Sequence, residues 1–588
     1  MRLCYIIILT FSAVLAKAQY YIRGEVKDEK SQPLQNVRIL LHSSRTQYYS
    51  GPSGGFGITS RMTVDSLTFT LEGYEPKSIK INTSQWQDVS MKVLPSVANR
   101  NKPKLISVTK DLNRTSKYHW FVSNETYFQL VENDYVNASK FPNTGFALNV
   151  NKASYSNIRR FINMASTVPP DAVRTEELLN YFNLHYKEPE QGNVFRLESQ
   201  LTSCPWSDEK QLLLINVNAR KIDLSKIPPS NFVFLIDVSG SMDMPNRLPL
   251  LKAAFQLFVK NLRQQDTVSI VTYGGVVGVH LQPTGGAEKE KIIRSIEELD
   301  ASGDTPGEAA IITAYQVAHS TFIKGGNNRI VLATDGDFNV GAASEKALDD
   351  LITKEKQGGV FLTCLGVGMG NFKDSKLETL AKRGNGNYAY LDDIKEAEKV
   401  LVKELTQTFY GVADNVFMNI QFNPEWIKEY RLIGFDNKRD AVADSTIDLE
   451  GGEVGSGSSV LAVFEIEPAD KKLFTRDIID NKGVASLSIR YNLCSDTVNQ
   501  LMEYVCPANF TEFKEIDREL QFATAVTMFG LKVKQSKYGG DIDWAEISAI
   551  ASSSYDPNDY LQTQFLQLVE KGQKIYRGKK SKKNKGGD

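Results

Sequence analysis

Residues Asn231 to Met242 read NFVFLIDVSGSM, an apolar strand that runs straight into Asp237-x-Ser239-x-Ser241. A strand ending in one carboxylate and two hydroxyls at alternate positions presents three oxygen ligands to one point at the C-terminal edge of a sheet. Open α/β sheets bind their ligands at that edge, and a small hard cation such as Mg²⁺ takes such oxygens. From Asn231 to about Gly411 strand-like runs (FVFLID, TVSIVTYGG, RIVLATDG, VFLTCLGVG, NYAYL) alternate with helical ones (RLPLLKAAFQLFVKNL, EAAIITAYQVAHSTFI, DSKLETLAKRG). That alternation predicts a Rossmann-like, mostly parallel sheet with helices on both faces.

The whole chain has 588 residues, too many for one core, so three or four domains are expected. Its formal net charge is -1, which gives no global pull toward nucleic acid or an anionic membrane. The start, MRLCYIIILTFSAVLAKAQ, has a short positive end, an apolar run from Ile6 to Leu15 and the small-x-small site Ala16-Lys17-Ala18. These are the parts of a signal peptide over residues 1–18, with Gln19 beginning the mature chain. The mature chain is therefore expected to be exported, to the periplasm or the cell surface, with no transmembrane span.

Export leaves four cysteines. Cys494 and Cys506 are close enough in sequence to bridge a hairpin in an oxidising compartment, whereas Cys364, inside an apolar run, reads as a buried free thiol. The five histidines, His42, His119, His185, His280 and His319, stand singly. Their spacing assembles no metal site or triad, and each reads as structural or superficial.

Short alternating strands with turn punctuation fill residues 20–93, as in a small all-β sandwich. Residues 94–119 are polar and basic and read as a linker. Residues 120–230 combine helical periodicity (Lys152 to Met164, Glu176 to Phe182) with a β-rich end from Val194. After the α/β segment 231–411, residues 412–570 are β-rich as far as Asn492 and then helical. Residues 571–588 read as a basic, disordered tail. Since β-rich segments flank the α/β domain on both sides, it is expected to be an insertion projecting from a sandwich made of both flanks.

The Asp-x-Ser-x-Ser motif resembles the metal-ion-dependent adhesion site of von Willebrand factor type A (VWA) domains. The resemblance implies a metal held by Asp237, Ser239 and Ser241, by Thr305 in ASGDTPG, and by Asp335 in IVLATDGD. Ser239, Ser241 and Thr305 would coordinate directly; Asp237 and Asp335 would act through waters. With few charged ligands, a Mg²⁺ or Mn²⁺ ion keeps an open position that an Asp or Glu of a partner protein completes. Asp304 and Pro306 beside Thr305 depart from the small residues of related bacterial chains, and Asp337 is either an outer-shell acid or a surface one.

Further stretches, including ASYSNIRRFIN, PPDAVRTEELLNYF, CPW, LATDGDFNVG and YRLIGFDN, resemble one group of bacterial exported VWA proteins. The N-terminal order G-x-V-x-D, P-L-x-x-V, S-G-G-F-G-I and G-Y-E resembles the carboxypeptidase-regulatory-like fold, a spacer or docking module. Together these imply an exported, cation-dependent protein-binding module. The alternative is an envelope scaffold in which the metal is structural and the flanks bind the partner. Catalysis is not expected, because no nucleophile is paired with a base.

Overall fold

A computed structural model of the chain describes residues 20–29, 31–71, 74–83, 85–92, 125–274, 276–303, 307–336, 342–369, 372–436, 452–470, 483–494 and 498–583. The expected signal peptide, the linker, Thr305, Asp304, Pro306 and Asp337 lie outside them. The chain divides into two compact units, residues 1–114 and 115–588.

The first unit has seven strands: β1 (Tyr20–Asp28), β2 (Arg38–Leu41), β3 (Thr46–Tyr49), β4 (Gly55–Ser60), β5 (Val64–Thr70), β6 (Lys77–Asn82) and β7 (Trp86–Met91). They form two sheets, β4-β1-β7 and β3-β2-β5-β6. Alternate residues of each strand, such as Ile22 and Val26 on β1 and Leu67 and Phe69 on β5, point into one shared core. Gly24 lets β7 come close: a Cβ there would lie 2.3 Å from the Gln87 carbonyl oxygen.

In the second unit, β8 (Val136–Asn137), β9 (Asn143–Thr144), β10 (Phe195–Ser203) and β11 (Gln211–Ala219) precede the α/β domain. That domain holds β12 (Ser230–Asp237), β13 (Thr267–Gly274), β14 (Val276–Gly285), β15 (Asn327–Thr334), β16 (Val360–Val367) and β17 (Tyr388–Leu391). After it come β18 (Gly411–Phe422), β19 (Ile427–Leu432), β20 (Gly452–Gly455), β21 (Ser459–Pro468), β22 (Ala485–Leu493), β23 (Asn499–Cys506) and β24 (Phe510–Thr511).

The central sheet runs β14-β13-β12-β15-β16-β17, parallel except for the β13–β14 hairpin at one edge. The run FVFLI alternates its faces. Phe232, Phe234 and Ile236 meet the Leu248–Lys260 helix, while Val233 and Leu235 meet the Gly307–Ser320 helix. From β12 the chain goes first to β13 on one side and later to β15 on the other. The switch point of the sheet therefore lies between the C-terminal ends of β12 and β15.

The flanks join each other. β11 pairs antiparallel with β21 in the sheet β24-β10-β11-β21-β19-β8, and β20-β18-β22-β23 forms a second sheet. Leu213, Ile215, Ala462 and Phe464 fill the space between these sheets. Leu212, Leu214, Leu461 and Val463 point the other way, onto a layer formed by the helices Ala153–Asn163, Thr175–Leu179, Arg518–Lys534, Trp544–Ser554 and Tyr560–Lys583. A strand buried on both faces has to be apolar throughout, which accounts for LLLI in β11. Among the described residues no helix is long and apolar enough to cross a membrane.

Three of the readings made from sequence change in the structure. The α/β domain does not project from the flanks; it is bolted to them. Arg159 donates to Asp392 and Glu396, Arg174 to Asp374 at 2.7 Å, and Ser156 Oγ to the Tyr390 carbonyl at 2.7 Å. The basic tail expected from residue 571 is helical as far as Lys583, because Ile575 and Tyr576 pack against the helical core. Cys494 and Cys506 are not bridged. The β22–β23 register sets Cys506 opposite Ala485, nine residues from Cys494, roughly 30 Å along the strand. The last helical stretch of the domain, from Ile394 to Phe409, opens into a π turn at Lys399–Lys403, where the Glu404 N–H reaches the Lys399 carbonyl at 2.8 Å. The widening accompanies a buried charge cluster: Lys399 Nζ is 2.9 Å, and Lys152 Nζ 3.1 Å, from the Glu404 carboxylate.

Arg174 faces Asp374, Glu177 and Glu378 together. One guanidinium cannot neutralise three carboxylates, and burial pushes Glu177 up to about 8 and Glu378 in the same direction. The folded chain therefore keeps a proton that the unfolded chain loses from about pH 4.5 upward, so this cluster costs stability as pH rises toward 8. Glu378→Gln is expected to raise the melting temperature at pH 8, by about 1–2 kcal/mol in stability, and to leave it unchanged at pH 4. An equal shift at both pH values would show that no proton is shared.

Candidate metal centre

Asp237 ends β12 at the switch point and is fully buried. Its two oxygens are already oriented: Oδ1 accepts the Ser239 N–H at 2.9 Å and Oδ2 accepts Thr334 Oγ1 at 2.8 Å. The chain then makes a short 3₁₀ turn at Gly240–Met242, anchored by buried Met242. Ser239 Oγ and Ser241 Oγ lie 3.2 Å apart, the first buried and the second exposed. Two hydroxyls at that separation can share one cation on the solvent side of the carboxylate.

A second segment is held against this loop. The Ser302 N–H donates to the Val238 carbonyl at 2.6 Å, and the Gly240 N–H to the Gly303 carbonyl at 3.0 Å. Gly274 makes the approach possible, since a Cβ there would fall 2.6 Å from the Ser302 oxygen and 2.6 Å from Val238. This segment leads toward Thr305, which lies outside the described residues.

Asp335, 1% exposed, follows the end of β15, next to Thr334. Its Oδ2 accepts Arg247 Nη1 at 2.7 Å. The same guanidinium donates to the Ser241 carbonyl at 2.5 Å and to the Met369 carbonyl at 3.1 Å. Gly368, at φ +81°, leaves room for it: a Cβ would lie 2.6 Å from Arg247 Nε. Burial lifts the Asp237 carboxyl to about 6, against the Ser239 and Thr334 hydrogen bonds that lower it, and nearby Asp335 adds to the rise.

The structure thus brings Asp237, Ser239, Ser241 and Asp335 to one edge. All four offer only oxygen, the donor set of a hard divalent cation. Sequence reading missed Arg247 and Thr334. Thr334 sits beside Asp335 in the strand-end run LATDG, a signal that could have found it. Arg247 stands at the entrance of a helix, where an arginine has no standard capping role, and only the fold aims it at Asp335.

Family models described as "von Willebrand factor", "von Willebrand factor type A domain" and "Uncharacterized protein YfbK, C-terminal" match residues 121–214, 232–337 and 407–575 respectively. The chain is 36% identical over 467 residues to "Uncharacterized protein YfbK" of Escherichia coli K12, a match covering 76% of this chain and 80% of that one. It is 24% identical over 248 residues to the "Magnesium-chelatase 67 kDa subunit" of Chlorobaculum parvum, covering 37% of this chain and 39% of that subunit. Among solved structures, "von Willebrand factor type A from Catenulispora acidiphila" aligns with 62% of this chain and 88% of its own length, at 16% identity and a TM-score of 0.39.

Proposed function

The chain belongs to the YfbK family of von Willebrand factor type A proteins, and from that premise we propose that it is an exported, cation-dependent protein-binding module. The observation that carries the proposal is the pair of hydroxyls, Ser239 and Ser241, set 3.2 Å apart beyond buried Asp237 at the switch point of the sheet. In this reading Ser239, Ser241 and Thr305 hold Mg²⁺ or Mn²⁺, with Asp237 and Asp335 behind them. Such an ion supplies an electrophilic open position for a carboxylate of the partner. Hydroxyls next to the ion leave its charge largely unspent, which favours an acidic external ligand. The role is binding, not catalysis.

In the same reading, residues 1–18 serve as the export signal and the N-terminal sandwich as a carboxypeptidase-regulatory-like spacer. The destination is the periplasm or the cell surface. A scaffold role, with a structural metal and the partner on the flanks, is favoured by one observation. Arg159, Arg174 and Arg329 tie the α/β domain to its surroundings through buried ion pairs, a rigidity suited to assembly.

Calorimetric titration of Mg²⁺ and Mn²⁺ into the full chain, wild type beside Ser239→Ala/Ser241→Ala, tests the proposal. One site that loses at least about tenfold in affinity in the double variant is expected. Titration curves indifferent to both serines would defeat it. A partner that still binds under chelation would move the scaffold reading to first place.

A further inference from the structure

We propose that His185, Asp517 and Glu519 form a second divalent-metal site, suited to an ion of the Zn²⁺ class, far in sequence from the oxygen-only centre. His185 lies in the connection between the Thr175–Leu179 helix and β10. Its backbone is held from two sides, since the His185 N–H donates to Glu519 Oε2 at 2.7 Å and the His185 carbonyl accepts Asn216 Nδ2 at 2.7 Å. Its ring is 9% exposed and cannot turn away into water.

The two ring nitrogens meet different surroundings. Nε2 is 3.2 Å from Glu198 Oε2, within donor reach of a carboxylate. Nδ1 faces Asp517 Oδ1 at 3.8 Å and Glu519 Oε2 at 4.0 Å, both beyond hydrogen-bond length. A ring nitrogen that lies between two carboxylates and is bonded to neither leaves one nitrogen and two oxygens facing a common point. The three ligand atoms lie within 4.8 Å of one another. Metal–donor bonds of about 2.0–2.2 Å set tetrahedral donors about 3.4 Å apart, so the carboxylates must move in by roughly an ångström. Asp517 and Glu519 are 49% and 52% exposed, and their facing oxygens now accept the Glu519 N–H at 2.8 Å and the His185 N–H at 2.7 Å, bonds that the ion would displace as the carboxylates close the gap.

Glu198 completes the arrangement from behind. Lys187 Nζ lies 3.0 Å and Arg196 Nη2 2.9 Å from its carboxylate oxygens. Glu198 Oε2, 3.2 Å from Nε2, stands where the carboxylate behind a ligating histidine stands. One imidazole nitrogen with two carboxylates suits Zn²⁺ and related transition ions better than Mg²⁺. The remaining positions open into a cavity of about 290 Å³ lined by Ser199, Gln200 and Tyr504, where water or a small oxyanion would complete the shell. Asp517 caps the Arg518–Lys534 helix, so the ion staples the chain before β10 to the C-terminal helical layer.

The test uses Zn²⁺ and Co²⁺ alone, titrated into the full chain by calorimetry, with Co²⁺ also followed by its visible absorption. The proteins are the wild type, His185→Gln, Glu519→Gln, Asp517→Asn and Ser239→Ala/Ser241→Ala. One site should vanish in His185→Gln and weaken about 10–100-fold in Glu519→Gln and Asp517→Asn. It should persist, with its Co²⁺ spectrum unchanged, in the serine double variant. A site untouched by His185→Gln, a site lost with the serines, or no saturable binding would each overturn the proposal. Far-UV circular dichroism checks that His185→Gln is folded; if it is not, the two half-exposed carboxylate variants decide.

Discussion

Glu453→Ala is expected to destabilise the chain by about 3–5 kcal/mol, measured by urea unfolding. Glu453, on β20 of the sandwich, meets Arg329, on β15 of the α/β sheet, with Arg329 Nη2 3.0 and 2.8 Å from its two oxygens. Arg329 is 0% exposed, and Nη1 donates to Thr363 Oγ1 at 3.0 Å. Burial raises the Glu453 carboxyl while Arg329 pulls it back, so each charge is tolerated only because of the other. Removing the glutamate leaves a guanidinium with no route to water. Replacing both by apolar residues of similar size, Arg329→Met with Glu453→Leu, should recover most of the loss, since the intact pair must also be desolvated. A loss below about 1 kcal/mol in Glu453→Ala would show that water reaches this junction.

Arg247→Ala should produce the second large effect, and its size should depend on the cation. Without divalent ions the variant leaves Asp335 buried with its guanidinium gone, at a cost of about 3–5 kcal/mol. Mg²⁺ or Mn²⁺ at the proposed centre would replace the lost charge. The cation should therefore raise the melting temperature of Arg247→Ala more than that of the wild type, and bind it about tenfold more tightly or better. Thermal melts in chelator and in saturating Mn²⁺ measure both. Equal stabilisation of the two proteins would mean that Asp335 does not serve the cation.

The contrast between these residues explains what could be read from sequence. Asp237, Ser239 and Ser241 are neighbours on one turn, so their spacing already fixes their convergence. Asp335 was read through the resemblance to the VWA motif, which expects an acid at the end of a later strand. Arg247 acts across the mouth of the domain on Asp335, and His185 meets Asp517 and Glu519 over more than three hundred residues. Such pairings depend on how layers pack, and no local spacing encodes them. The alternation that marked the α/β segment was equally local. The junctions through Arg159, Arg174 and Arg329 were not, because a buried arginine looks the same in sequence as one on the surface. The π turn at Lys399–Lys403 belongs to the same class: Lys152, which joins the charge cluster beside it, lies about two hundred and fifty residues earlier.

The Arg329–Glu453 pair also has a mechanical meaning. Arg329 sits near the start of β15 and Asp335 just beyond its end, six residues or roughly 20 Å apart along one strand. Traction applied at the Ser239–Ser241 edge would run down β15 and reach the sandwich through a charged bolt, with no slack to take up first. The domain and its flanks would then bear tension as a single stiff lever, and the force needed to part them would fall sharply in Glu453→Ala.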